Sequence, residues 1–168
     1  MPRIDEIDRR TDVVFVVFYF GKSIRGVTKV QKLLFLIEEE TYFFEKYRDS
    51  IAFNFAPYKM GPFSEEVYEE LHFLLQLDAI EARPISDPAI EGSDPELSNK
   101  EFVITDKGEK IASQLVKILE PEYREELRDL VEQYNELSLN ELLRHVYSEY
   151  PEYTTESEIK DEIFQGTR

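Results

Sequence analysis

Apolar positions recur along this chain three or four residues apart in most stretches and two apart in a few, with Gly and Pro marking the changes. Residues 12–20 are almost wholly apolar and predict a buried first helix ended by Gly21. After a loop, "GKSIRGV", Thr28 is placed to cap a long helix in which Val30, Leu33, Leu34, Ile37 and Phe44 share one face. In "IAFNFAPY" the period drops to two, with Ile51, Phe53 and Phe55 alternating as in a short strand. Pro57 and the Gly61-Pro62 pair then break the chain, and Ser64 is positioned to cap a helix to about Leu77, with Val67, Leu71, Leu74 and Leu75 at helical spacing.

Residues 79–83 and 101–105 predict the two strands of a hairpin. The connection between them, "PISDPAIEGSDPELSNK", holds three prolines and a glycine, too much punctuation for regular structure. Thr105 is set to cap a helix through Ile111, Leu115 and Ile118. Pro121 opens another, with Tyr123, Leu127, Leu130, Val131 and Tyr134 on one stripe, and a last helix in "SLNELLRHVYSEYPEYT" is stopped by Pro151. The sum is a mainly α chain of the α+β class, a winged-helix-like domain over residues 1–120 with a small β-hairpin wing. Additional C-terminal helices over 121–163 pack on it, and residues 164–168 are a frayed tail. The tail tyrosines Tyr147, Tyr150 and Tyr153 either fold back over the core, the simpler expectation, or face a partner.

Composition narrows the function classes. At 168 residues and 42 % hydrophobic the chain can bury one sizeable core. Its longest apolar run, "VVFVVFYF", is far too short to span a bilayer, and "RIDEIDRRTD" before it lacks the pattern of a secretory signal, so a cytoplasmic protein is expected. With no cysteine, disulfides and thiolate metal sites are excluded. The formal net charge of −16 changes the picture most, because a field of that sign opposes phosphate backbones and anionic lipid and favours basic partners.

Three stretches, "GVTKVQKLLFL" at 26–36, "YKMGPFSEEVYEEL" at 58–71 and "FVITDKGEKIA" at 102–112, occur in an order that resembles the Panacea, or SocA-like, antitoxin domain and its YwgA-like relatives. The matching positions are Lys29-Val30-Gln31-Lys32-Leu33-Leu34-Phe35, the Gly61-Pro62 turn with Tyr58 before it, and Thr105-Asp106-Lys107-Gly108. The resemblance covers about residues 12–118; this chain departs from the pattern in lacking tryptophan and in its long acidic wing and C-terminal helices. It implies a non-catalytic protein that binds a toxin directly.

Two sets of residues compete as the binding site. In a winged helix the helix before the wing ordinarily enters the DNA groove, yet here it carries Glu65, Glu66, Glu69 and Glu70, which phosphates repel. Asp87, Glu91, Asp94, Glu96 and Glu101 make the wing acidic as well. These four helix carboxylates, with Tyr58, Phe63 and Tyr68 as aromatic anchors, form the candidate face for a basic protein partner. Against them stands the acid-free segment Val13–Ile37 with Lys22, Arg25, Lys29 and Lys32. These cations are the candidate contacts of the alternative, a DNA-binding transcription regulator, monomeric or homodimeric; they are otherwise partners of the chain's own glutamates.

Enzyme chemistry has little to stand on. Glu69 and His72 are three apart on one helix, as in carboxylate-bridged di-iron sites, but Glu141 and His145 are four apart, so the second half of that pattern fails. No Gly-rich phosphate loop, Gly-x-Ser-x-Gly elbow or cysteine nucleophile is present. A non-enzymatic regulatory protein-binding module, without cofactor or metal, is the expectation.

Overall fold

The computed structural model describes residues 9–85 and 96–155. The expected wing acids Asp87, Glu91 and Asp94 and the tail 164–168 lie outside the described residues. The first helix, α1 (Arg10–Gly21), is buried continuously from Asp12 to Phe18. A run with no polar face must be covered all round, and α5 (Asp106–Ile118), α6 (Pro121–Asn135) and the sheet cover it. The architecture is mainly helical with one small antiparallel sheet and one separate hairpin, an α+β winged-helix-like fold.

The wing hairpin forms where the alternation places it, as β4 (Ile80–Pro84) and β5 (Lys100–Ile104), with Ala82 opposite Phe102. A third strand, β1 (Ser23–Arg25), lies inside the segment expected to be a loop and pairs with β5, Ile24 opposite Phe102. Three residues are too few to show a period, so only the pairing partner reveals this strand. It is bounded by Lys22 at φ 64° and Gly26 at φ 103°, a left-handed conformation suited to glycine. The sheet order is β1-β5-β4.

Three expectations fail between residues 27 and 58. The long second helix is two helices, α2 (Val27–Glu40) and α3 (Tyr42–Ile51), broken at Thr41. Thr41 is extended, and its hydroxyl oxygen accepts from Phe44 N at 3.1 Å and lies 2.7 Å from the Ile37 carbonyl, closing one helix and capping the next. Thr28 is not the cap of α2; Gly26 holds that position, and Thr28 Oγ1 turns inward to Met60 Sδ at 3.8 Å. The expected strand within 51–58 is also displaced. Ile51 ends α3, Asn54 adopts φ 59°, and the strand is β2 (Ala56–Tyr58), paired with β3 (Gly61–Phe63); the chain turns at Lys59-Met60, so Gly61 and Pro62, expected to be the turn, are strand residues opposite Tyr58 and Pro57. Phe55 still meets Phe35 edge-on at 5.4 Å and Phe53 at 6.1 Å, so both rings turn toward the core.

The C-terminal helices α6 and α7 (Leu139–Glu149) pack against α1 and α2, with Leu127, Val131, Leu142 and Val146 in the same core. Tyr147 is 1 % exposed, and Tyr150 and Tyr153 set their rings edge-on against Phe35, so these tyrosines fold back over the core. One long-range cap was invisible to sequence reading: Glu126 of α6 accepts from the amides of Tyr42 and Phe43 at 2.8 and 2.9 Å, satisfying the start of α3. Glu126→Ala is expected to cost about 1–2 kcal/mol in urea unfolding. A loss below a few tenths would show that water replaces the carboxylate.

Candidate functional site

The helix α4 (Glu65–Gln76) buries Val67, Leu71 and Leu74 against the core, which points the opposite side outward. Helical geometry places Glu65, Glu69, His72, Phe73 and Gln76 around that outer side. Glu65 and Glu69 are exposed, and Phe73 is one of the few exposed large apolar side chains, at 44 %. Of the four glutamates expected on the exposed face, Glu66 and Glu70 are only half-exposed. Glu66 and Glu70 lie on the flank, where Thr11 donates to Glu70, and Ser64 and Asn54 donate to Glu66 at 2.8 and 3.5 Å. Burial raises the Glu66 pKa, but these bonds and its own amide outweigh it and hold the carboxyl below its usual value. Among the described residues none of the four glutamates forms an ion pair.

On the other flank of α4 the three expected aromatic anchors meet. Tyr58 and Phe63 have ring centroids 4.9 Å apart, and Phe63 meets Tyr68 edge-on at 5.2 Å. The β2–β3 hairpin makes this row: it turns at Lys59-Met60, pairs Tyr58 with Gly61 and Ala56 with Phe63, and so brings the Tyr58 and Phe63 rings together diagonally, with Phe63 against Tyr68 of α4. Tyr58 is 47 % exposed. Ser64, expected to cap α4, occupies the N-cap position without capping; its hydroxyl is turned to the Phe53 carbonyl and to Glu66.

The cations of the alternative site do not assemble on the surface. Lys32 is 2 % exposed and donates to the Pro62 carbonyl at 2.9 Å. Lys29 is also buried and donates to the carbonyls of Asn135 and Leu137 at 3.0 and 2.7 Å, closing the C-terminal end of α6. Both leave α2 sideways toward carbonyls of other elements, which explains cations in the first turns of a helix, where its own dipole disfavours them. Burial pushes the Lys32 ammonium down to about 7, and burial, then the neighbouring Arg25 charge, lowers Lys29. Lys22 and Arg25 remain exposed, with Lys22 paired to Glu109 at 3.1 Å.

A consequence follows for the motifs. Gln31 reaches both backbone groups of Ser64, donating to its carbonyl at 2.8 Å and accepting from its amide at 3.0 Å, while Lys32 holds Pro62. The "KVQK" and "GP" motifs are thus two halves of one buried joint between α2 and the aromatic hairpin. Tyr147 closes the joint from below: a Cβ at Gly61, whose φ is 90°, would stand 2.8 Å from its ring.

The two histidines sit apart from each other's partners. His72 Nδ1 lies 3.2 Å from Glu96, while His145 Nε2 lies 3.1 Å from Tyr134 Oη and 3.2 Å from Glu40. Glu40 also accepts from the hydroxyls of Tyr134 and Tyr150, at 2.9 and 2.7 Å, tying α2, α6 and the tail together. Sequence reasoning missed this cluster because its members lie about a hundred residues apart. Among the described residues no group of three or more His, Cys, Asp and Glu side chains is arranged to hold a metal ion, and no helix is long and apolar enough to cross a membrane. Comparison of the chain with protein-family models, curated proteins and solved structures finds no match.

Proposed function

We propose that this chain is a non-enzymatic, antitoxin-like regulatory module that binds a basic protein partner on the face formed by α4 and the β2–β3 hairpin. The observation that carries the reading is the juxtaposition of the Tyr58–Phe63–Tyr68 row with the outward carboxylates Glu65 and Glu69 on one surface. Apolar rings supply contact area at small cost in side-chain freedom, and unpaired carboxylates steer a cationic surface and fix its orientation. The net charge of −16 acts in the same direction, and so does the motif resemblance to Panacea antitoxins, whose members bind a toxin directly. A cytoplasmic location belongs to the same proposal.

The test is capture of partners from the native cell extract by the full chain and by Glu65→Lys plus Glu69→Lys. The expected result is a co-purifying protein of high pI whose affinity falls about 10-fold or more on charge reversal, with the loss shrinking at high salt. An unchanged affinity would sink the acidic face. Binding of random duplex DNA at low salt, lost on Lys22→Glu plus Arg25→Glu, would move the assignment to nucleic acid.

A further inference from the structure

The aromatic end of this face already holds a cation. Lys59, at the tip of the β2–β3 hairpin, places its Nζ 5.8 Å from the centroid of the Tyr58 ring, within the range where a cation is attracted to the negative face of an aromatic ring. The neighbouring Phe63 ring, inclined 39° with its centroid 4.9 Å away, stacks against one face of Tyr58 and fixes it, Tyr68 in turn stands almost perpendicular to Phe63 at 77°, and Tyr58 remains 47 % exposed. Glu65 follows Phe63 by two residues and precedes Tyr68 by one helical turn, which puts an exposed carboxylate beside the rings. Gln31 and Lys32 brace the hairpin from within, so the rings are set before any partner arrives.

We infer that this corner receives an arginine side chain of the basic partner, its guanidinium laid on the exposed face of Tyr58 with Glu65 as counter-charge, and that Lys59 is the chain's own competitor for the place. The inference rests on the protein-binding reading above and names the side chain that this reading leaves open. Arginine fits better than lysine because a planar, weakly hydrated guanidinium stacks on a ring face, whereas an ammonium keeps its water more tightly. Lys59 competes for the same ring with a strongly hydrated head that stacks less well than a guanidinium.

Calorimetric titration of the full chain with oligo-arginine and oligo-lysine peptides of equal length tests this. The arginine peptide is expected to bind about 2- to 5-fold tighter, and Tyr58→Leu is expected to remove that preference. Lys59→Ala is expected to tighten the arginine peptide by about 2-fold or more, beyond the small gain from Lys107→Ala, which removes the same charge from α5. Equal affinity for the two peptides, with no response to Tyr58→Leu or Lys59→Ala, overturns the arginine corner. If Glu65→Lys plus Glu69→Lys still weakens both peptides in that case, the acidic face survives without it. Failure of both peptides to bind a chain that still captures its partner also overturns the inference alone. Failure of peptides and partner together overturns the protein-binding reading as well.

Discussion

Replacing Gly108 by alanine is expected to destabilise the protein by about 3 kcal/mol or more, although alanine is the better helix former by about 1 kcal/mol. Gly108 lies in the first turn of α5, pressed against the chain that leads into β4. A Cβ there would stand 2.1 Å from the Ala79 carbonyl oxygen, 3.0 Å from its carbon and 2.9 Å from Ile104 Cγ1. The backbone has no cheap retreat. Ala79 O accepts from Thr105 N at 3.0 Å, and Thr105 caps α5 by accepting from Gly108 N at 3.1 Å while donating to Asp78 O at 2.6 Å. Moving α5 outward would pull at these bonds and at the β4–β5 ladder, where Ile80 pairs with Ile104. Urea unfolding with an unchanged m-value is the measurement. A gain in stability, as propensity alone would give, would mean that the close approach is not there.

Lys32→Met is expected to stabilise the protein by about 1–3 kcal/mol at neutral pH and to flatten much of the rise of stability toward alkaline pH. Burial takes the Lys32 pKa from 10.5 to about 7. Between these values the unfolded chain keeps a proton that the folded chain releases, so stability rises with pH across that window and is at its lowest, from this group, below it. A shift of that size is worth on the order of 4 kcal/mol at pH 7. Methionine removes the penalty but leaves Pro62 O without its donor, at about 1–3 kcal/mol. Some alkaline rise persists because Lys29 is lowered too. It ends near pH 10, where Tyr134, raised by burial and Glu40 to about 12, keeps a proton that the unfolded chain loses.

Glu38 gives the opposite limb. Burial lifts its carboxyl from 4.5 to about 7, against the Phe53 amide it accepts from at 2.8 Å, so folding takes up a proton and stability falls as pH rises from 4.5 to 7. The groups facing it are Arg48 of α3 and Arg10 of α1, which lower it, and Glu39 beside it, which raises it. The contributions of Glu38 and Lys32 together have their minimum near pH 7. Unchanged alkaline behaviour in Lys32→Met would show that its ammonium is hydrated rather than buried.

The joint between α2 and the hairpin shows how far a linear reading reaches. "KVQK" and "GP" stand out as motifs, and Lys29 and Lys32 stand out as cations without nearby acids, so surface chemistry is the natural reading of both. Their bonds run to Asn135, Leu137, Pro62 and Ser64, about thirty and a hundred residues away. Buried backbone carbonyls need donors, and a long flexible ammonium can reach them, but a carbonyl carries no sequence signature. For the same reason the four glutamates of α4 look alike until Thr11, Ser64 and Asn54 divide them into held and outward pairs.

What the sequence by itself determined is whatever rests on local period and local chemistry. The continuous apolar run of α1, the amphipathic stripes of α4, α5 and α6, the Thr105 cap, the wing strands and the acidic charge all follow from neighbours within a turn or a pleat. Only the tertiary structure decided the break at Thr41, the strand β1, the inward turn of Lys29 and Lys32 and the stacking of Tyr58 on Phe63. Each of these depends on which distant backbone group or ring lies opposite, and that is set by how the helices pack.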